Sequence, residues 1–135
     1  MSEIRLARDA AAVVLNHAQS NPEEECCGLL AGRDRTVLHV FPARNVADRP
    51  AVAYEIAPEE LFRIMREIRA AGLEFLGIYH SHPSGDNQPS SRDIERAYYP
   101  DAAYFIISSR IEAPKPIRAY SIHEVRWTEL EIQIE

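Results

Sequence analysis

The sequence predicts one α/β domain in which a mixed sheet is flanked by helices. The chain of 135 residues has the usual size of a single domain. Apolar residues recur at helical spacing in some segments, and short apolar runs bounded by turn residues lie between them. The resulting order of predicted elements, α-β-β-β-α-β-α-β-β-β, is typical of a mixed sheet with helices packed on it.

The first predicted element is a helix over residues 4–19, which Asn21-Pro22 ends. Its apolar face is formed by Leu6, Ala10, Val13, Val14 and His17. Short strands are predicted after this helix, at residues 26–32, 36–41 and 52–56, with a turn at 33–34 and a loop over 43–51.

The second helix begins at Pro58 and has the clearest pattern in the chain. Proline suits a first helical turn, and Glu59 and Glu60 suit the positive end of the helix dipole. Gly72 is a natural stop. The buried face repeats at i, i+3, i+4 and i+7, through Leu61, Ile64, Met65 and Ile68.

In the second half of the chain, the sequence predicts four strands and a third, short helix. A strand over residues 73–80 delivers His80 and His82 at its C-terminal end, and a polar loop over 83–89 follows. Ser90 or Ser91 caps the short helix, which Pro100 stops. The inward-facing residues of this helix are Ile94, Ala97 and Tyr98, and the last strands are predicted at 103–108, 117–122 and 125–134.

Composition and charge narrow the classes of protein. The net charge of −6 argues against a general nucleic-acid binder, which needs a basic face. The two cysteines are neighbours, Cys26 and Cys27, and predict free thiols in a reducing cytoplasm. Residues 1–10 lack the apolar core of a signal peptide, and the apolar run over 10–15 is too short for a membrane span. We therefore expect a cytoplasmic protein that binds neither nucleic acid nor membrane.

Two histidines followed by a serine and an aspartate form the most informative motif, His80-Ser81-His82-Pro83 with Ser90 and Asp93. Residues at i and i+2 point the same way only in an extended segment. Two imidazoles and a carboxylate are a ligand set for a catalytic zinc, which takes three protein ligands and leaves one position open. The alternative is that the two histidines merely end a strand.

Asp93 and Ser90 each allow two interpretations. Ser90-x-x-Asp93 resembles a capping box, so that Asp93 only starts a helix, although a helix start can also direct a carboxylate toward a cation. Ser90 is either only the N-cap or also a hydroxyl that donates to an oxygen becoming negative during attack on a carbonyl. A general base is still required, and Glu25, next to a buried strand, is a candidate that periodicity alone does not select.

The segment Glu25-Cys26-Cys27-Gly28-Leu29-Leu30, followed by His80-Ser81-His82-Pro83, six residues and Ser90-x-x-Asp93, resembles the JAMM (MPN-plus) metallopeptidase family. The double cysteine is most similar to small stand-alone bacterial and archaeal members. The resemblance implies an MPN-type, cytidine-deaminase-like domain with a curved mixed sheet over residues 1–135. It also implies one Zn²⁺ per chain on His80, His82 and Asp93 with a bound water, Glu25 as general base, and Ser90 as stabiliser of the oxyanion.

The substrate implied by the resemblance is a peptide or isopeptide bond after the Gly-Gly tail of a ubiquitin-like protein or sulfur carrier, including a carrier–cysteine adduct. The short segment between Phe41 and Val52 argues against a dedicated ubiquitin clamp, and an extended tail pairing with a sheet edge fits better. Exposed edges also allow a homodimer.

Two alternatives share the predicted fold. His82-Pro83-Ser84-Gly85 also resembles the RadC family, associated with DNA repair, and domains that lose the metal ligands act as scaffolds. The remaining candidates are assigned to structure: His17, His39 and His123 to structural or surface roles, Cys27 to packing, and Trp127 to the core or an interface.

Overall fold

The computed structural model of the protein describes residues 2–110 and 112–135, which form seven strands and three helices. The strands are β1 (Glu3–Leu6), β2 (Cys27–Arg33), β3 (Thr36–Ala43), β4 (Glu74–His82), β5 (Ala103–Ser108), β6 (Ile117–His123) and β7 (Arg126–Ile134). The helices are α1 (Arg8–Ser20), α2 (Pro58–Ala70) and α3 (Ser91–Glu95).

The strands form one mixed sheet that closes on itself in the order β1-β3-β2-β4-β5-β6-β7. β1 pairs in parallel with β3 and β7, and β4 pairs in parallel with β5, whereas the other neighbours are antiparallel. The predicted α/β domain with a curved mixed sheet and flanking helices is confirmed. Among the described residues, β1 covers β3 only at Thr36 and Val37, so the rest of β3 pairs with β2 alone.

Every strand contributes to one apolar cluster, which therefore lines the inner side of the closed sheet. Helix α1 joins this cluster through small residues, and this lets the helix lie close to the strands. The buried members are Ile4, Leu6, Leu30, Val37, Tyr79, Ala103, Phe105, Ile107, Ala119 and Leu130 from the strands, with Ala10, Ala11, Val14 and Ala18 from α1.

The predicted start of the first helix is wrong, because residues 3–6 form strand β1. Ile4 and Leu6 alternate with exposed or half-buried neighbours, and their partners lie in β7, more than 100 residues away. Pairing across the closed sheet outweighs the weak local preference for helix. Val13 was also placed wrongly on the buried face, since it is 44% exposed while Ala11 and Ala18 are buried.

Helix α2 is confirmed from Pro58 onward and packs on the outer side of the sheet. Ile64 and Ile68 are buried against Leu29 and Ala31 of β2. Gly72, with φ of +72°, follows the helix, as expected for a stop that favours glycine. None of the helices in residues 2–110 and 112–135 is long and apolar enough to cross a membrane.

Two further expectations are corrected. Residues 52–56 do not form a strand, and Val52 is 55% exposed. Helix α3 ends at Glu95, well before Pro100, and Tyr98 is 73% exposed rather than inward-facing. Beyond the helix, the backbone N–H of Tyr99 donates to the hydroxyl of Tyr104 in β5 at 2.9 Å. Ile94 and Ala97 do pack inward, as expected, against a separate apolar cluster that contains Ile78 of β4 and Ile106 of β5.

Candidate metal centre

Strand β4 places His80 and His82 on one side of the sheet. The strand lies between β2 and β5, so its backbone is hydrogen-bonded on both sides. It continues through His82, two residues beyond the predicted end, and the i, i+2 spacing therefore acts within a regular strand. His80 is 1% exposed and His82 is 8% exposed.

Helix α3 brings the Asp93 carboxylate to the two imidazoles. Oδ1 of Asp93 lies 3.0 Å from Nε2 of His80, and Oδ2 lies 3.0 Å from Nε2 of His82. The two Nε2 atoms are 3.2 Å apart. Ligands about 2.0–2.1 Å from a tetrahedral zinc lie about 3.3 Å from one another. One ligand atom from each of the three residues lies within 4.8 Å of the other two, so the group is close enough to hold one such ion. The donor set of two nitrogens and one carboxylate oxygen also suits zinc.

The second nitrogens of the two rings determine which atoms are free to bind a metal. Nδ1 of His82 donates to the backbone carbonyl of Asp86, which leaves the Nε2 lone pair available. The ring of His80 is stacked on Tyr54, with centroids 4.5 Å apart and planes inclined by 20°. Its Nδ1 has no hydrogen-bond partner among the described residues.

Burial and the Asp93 charge set the protonation of the three groups. Burial lowers the pKa of His80, although Asp93 opposes this shift, and the neutral ring is the form that binds a metal. For His82, burial favours the neutral ring, but the hydrogen bond and charge of Asp93 raise its pKa. Burial opposes ionisation of Asp93, yet hydrogen bonds from His80 and His82 hold its pKa well below the usual range. The cluster therefore presents an anionic carboxylate beside imidazole nitrogens.

Ser90 and Asp93 form a complete capping box at the start of α3. The hydroxyl oxygen of Ser90 accepts from the Asp93 N–H at 3.1 Å, and Oδ2 of Asp93 accepts from the Ser90 N–H at 2.9 Å. The same carboxylate therefore both caps the helix and faces the histidines. The Ser90 hydroxyl proton is not used in the cap and the residue is exposed, so it remains able to donate to a ligand.

Glu25 lies two residues before the start of β2, and its side chain is withdrawn from water. The residue is 7% exposed, and Oε1 has no hydrogen-bond partner in the described part of the chain. Burial raises the pKa of Glu25 to about 7, with opposing influences from the charges of His82 and Asp93. The next residue, Cys26, is hydrogen-bonded to Ser81 between the two histidines, so the Glu25 segment lies next to their strand. A carboxyl that titrates near neutral pH can accept a proton and return it.

Ser81, the residue between the two histidines, links their strand to the Glu25 segment, and sequence analysis missed this role. Its hydroxyl accepts from the N–H of Cys26 at 2.8 Å, and its own N–H donates to the Cys26 carbonyl at 3.1 Å. A small polar residue in an otherwise apolar strand was the available signal. Tyr54, which stacks on His80, gave no sequence signal.

The residues assigned to structure behave largely as expected. Both cysteines are free thiols. Cys27 is fully buried in the apolar cluster between β2 and α2, and this burial raises its pKa to about 12. Nδ1 of His17 is hydrogen-bonded to the hydroxyl of Tyr79 at 2.7 Å. Trp127 is 41% exposed and packs edge-on against Tyr120, at 5.2 Å between ring centroids. None of these residues belongs to the metal cluster.

The chain is similar to known proteins over most of its length. The family described as prokaryotic homologs of the JAB domain matches residues 7–123. A desampylase of Haloferax volcanii is 45% identical over 113 residues, which cover 79% of this chain and 81% of that protein. The CysO-cysteine peptidase of Mycobacterium tuberculosis is 31% identical over 129 residues, which cover 93% of this chain and 87% of that protein.

A solved structure supports the fold assignment. The crystal structure of a JAB1/MPN domain protein from Archaeoglobus fulgidus superposes with a TM-score of 0.65, at 17% identity, over 100% of this chain and 99% of that one. This likeness bears on the fold alone and agrees with the MPN-type domain expected from the sequence.

Proposed function

The chain belongs to the family of prokaryotic homologs of the JAB domain, and from this premise we propose that it is a zinc-dependent peptidase or isopeptidase. The bond it hydrolyses follows the C-terminal Gly-Gly tail of a ubiquitin-like protein or sulfur carrier. The observation that carries this proposal is the cluster of His80, His82 and Asp93, with the buried Glu25 in the segment that Ser81 ties to the histidine strand.

In this proposal one Zn²⁺ per chain is held by His80, His82 and Asp93. When bound, the ion supplies Lewis acidity and lowers the pKa of a water in its open position to about 7. The protein contributes a fixed arrangement of ligands. His82 is oriented by the Asp86 carbonyl, His80 by the Tyr54 ring, and Asp93 by the Ser90 N–H.

Glu25 moves the proton in the proposed reaction. Its carboxylate takes the proton of the attacking water and returns it to the departing nitrogen. A pKa near 7 suits both proton transfers, because the protonated and the ionised carboxyl are both populated at neutral pH. The unpartnered Oε1 leaves an acceptor available for that proton.

The substrate class is supported by the names of two relatives. One is a desampylase and the other a CysO-cysteine peptidase. The edge of β3 beyond Val37, which has only β2 as a partner among the described strands, could pair with an extended tail. The RadC-like and scaffold alternatives are less well supported, because the ligands are assembled and Glu25 is buried beside them.

The proposal is tested by metal content and cleavage measured together. Purified protein is expected to contain about one zinc per chain, and to cleave a fusion placed after the Gly-Gly tail of a ubiquitin-like carrier. A chelator should abolish the cleavage, and added zinc should restore it. A protein that binds no zinc after reconstitution, or whose cleavage is indifferent to the chelator, would contradict the proposal.

Replacing Ser90 with alanine separates the capping role from the oxyanion role. If the hydroxyl donates to the oxyanion, Ser90→Ala should lower kcat by about 10²–10³ while zinc binding persists. Loss of the cap should separately lower the free energy of unfolding by about 1 kcal/mol. Ser90→Thr, which retains a hydroxyl, is the matched control. A stability loss with unchanged kcat would leave Ser90 only its capping role.

A further inference from the structure

We propose that Asn45 is a positioning residue that holds Glu25 in place through its backbone. This inference rests on the proposed function, because it concerns the residue assigned there as general base. Asn45 lies in the loop between β3 and α2, and its side chain reaches both the Glu25 segment and the far end of its own loop.

Strand pairing does not hold Glu25. The ladder of β2 with β3 and β4 begins at Cys27, so Glu25 precedes the first paired residue. Its backbone is held by the loop: the Glu25 N–H donates to the carbonyl of Pro50 at 2.8 Å, and Nδ2 of Asn45 donates to the Glu25 carbonyl at 2.9 Å. The neighbouring Cys26 is tied to Ser81 of β4, whereas the hydrogen bonds of the Glu25 backbone itself come from the loop over residues 45–50.

The Asn45 amide uses its full hydrogen-bonding capacity. Nδ2 donates to the carbonyls of Glu25 and Ala53, both at 2.9 Å. Oδ1 accepts from the N–H groups of Ala47 at 3.0 Å and Glu55 at 3.1 Å. Two donors and two acceptor sites are all that an asparagine side chain offers. No other natural side chain of this size provides both halves.

The Glu25 side chain makes this backbone support necessary. Oε1 has no hydrogen-bond partner among residues 2–110 and 112–135, and the residue is 7% exposed. No side-chain hydrogen bond through Oε1 corrects an error in the backbone position. A misplacement of about 1 Å in a reacting group can cost about 10²-fold in rate.

The acceptor half of the amide supports a different part of the site. Oδ1 closes residues 45–55 into a compact loop, and this loop carries Tyr54, the residue stacked on the His80 ring. Asn45→Asp retains the acceptor oxygen and replaces the donor with a second oxygen facing two carbonyls. This substitution therefore removes the hydrogen bonds to the carbonyls of Glu25 and Ala53 and retains the acceptor oxygen, whereas Asn45→Ala removes all the hydrogen bonds of the side chain.

The test compares these variants in two backgrounds. In the otherwise unmodified chain, Asn45→Asp is expected to lower kcat by about 10–100-fold, with KM changed by less than about threefold and zinc content unchanged. In the Glu25→Gln background the same substitution should cost less than about twofold, because the group it positions is already lost. Val37→Ala, a core substitution on the inner side of the sheet, controls for stability loss and should leave kcat unchanged.

Two outcomes would overturn the inference: an unchanged kcat in Asn45→Asp, or an equal loss in both backgrounds. Amide hydrogen exchange at Ala47 and Glu55 provides a readout that needs no substrate, and both amides should exchange faster in Asn45→Ala than in Asn45→Asp. Absence of cleavage by the unmodified chain would instead contradict the proposed function. Because hydrogen exchange does not depend on cleavage, unchanged exchange in Asn45→Ala would contradict the role of Asn45 even if the proposed function were wrong.

Discussion

Glu25→Gln is expected to retain zinc and lose about 10²–10⁴ in kcat, because the amide can neither accept the proton of the attacking water nor return it. The substitution preserves the shape of the side chain, and Glu25 is not among the three proposed metal ligands. Steady-state cleavage of the carrier fusion, with zinc measured on the same sample, checks this result.

Glu24→Gln is the matched control for this substitution. Glu24 is the exposed neighbour of Glu25, and its Oε1 accepts a hydrogen bond from the Asn21 amide. The control should cleave at the unmodified rate. Normal turnover by Glu25→Gln would show that the base is another group.

Glu25→Gln should also stabilise the metal-free protein at high pH. Burial raises the pKa of Glu25 from 4.5 to about 7, so the folded chain binds this proton more tightly than the unfolded chain does. The contribution of Glu25 to stability therefore falls as the pH rises from 4.5 through 7. Glu25→Gln lacks this penalty, and its gain in free energy of unfolding should grow between pH 5 and pH 8 to at most about 3 kcal/mol.

Urea unfolding of the chelator-treated protein at pH 5 and pH 8 measures this effect. Equal stability of the two proteins at both pH values would mean that the carboxyl is not desolvated. A gain in stability together with a loss of activity is the usual signature of a residue kept for function.

His82→Ala is expected to remove most of the bound zinc and abolish cleavage. The substitution deletes one of three ligands, and it also releases Oδ2 of Asp93 and the Asp86 carbonyl from their contacts with the ring. Loss of one ligand from a three-ligand site lowers metal affinity strongly. Metal analysis after dialysis, followed by the cleavage assay with excess zinc, checks the result.

His123→Ala controls for the loss of an imidazole. His123 is an exposed residue at the end of β6, outside the cluster, so its removal should change neither zinc content nor rate. Full zinc retention by His82→Ala would remove His82 from the proposed ligands while leaving His80 and Asp93 to be tested in the same way.

The sequence predicted correctly those helices and strands whose pattern depends only on neighbouring residues. Helix α2 and strand β5 occur as expected, since amphipathic spacing and a short apolar run depend on neighbouring residues. Strand β1 was predicted as helix, because only four residues form it and their partners lie at the other end of the chain. The absent strand at 52–56 has a similar cause, since the Asn45 side chain holds that segment as a loop.

Residue types and spacing predicted the candidate site: two imidazoles at i, i+2, a carboxylate at the start of a short helix, and a glutamate before a buried strand. The burial of Glu25, its unpartnered Oε1 and the contacts from Asn45 and Ser81 are evident from the folded chain alone. Desolvation and hydrogen bonding depend on groups 20 to 55 residues away in the chain, as for Asn45 with Glu25 and Ser81 with Cys26, and no local pattern encodes that proximity.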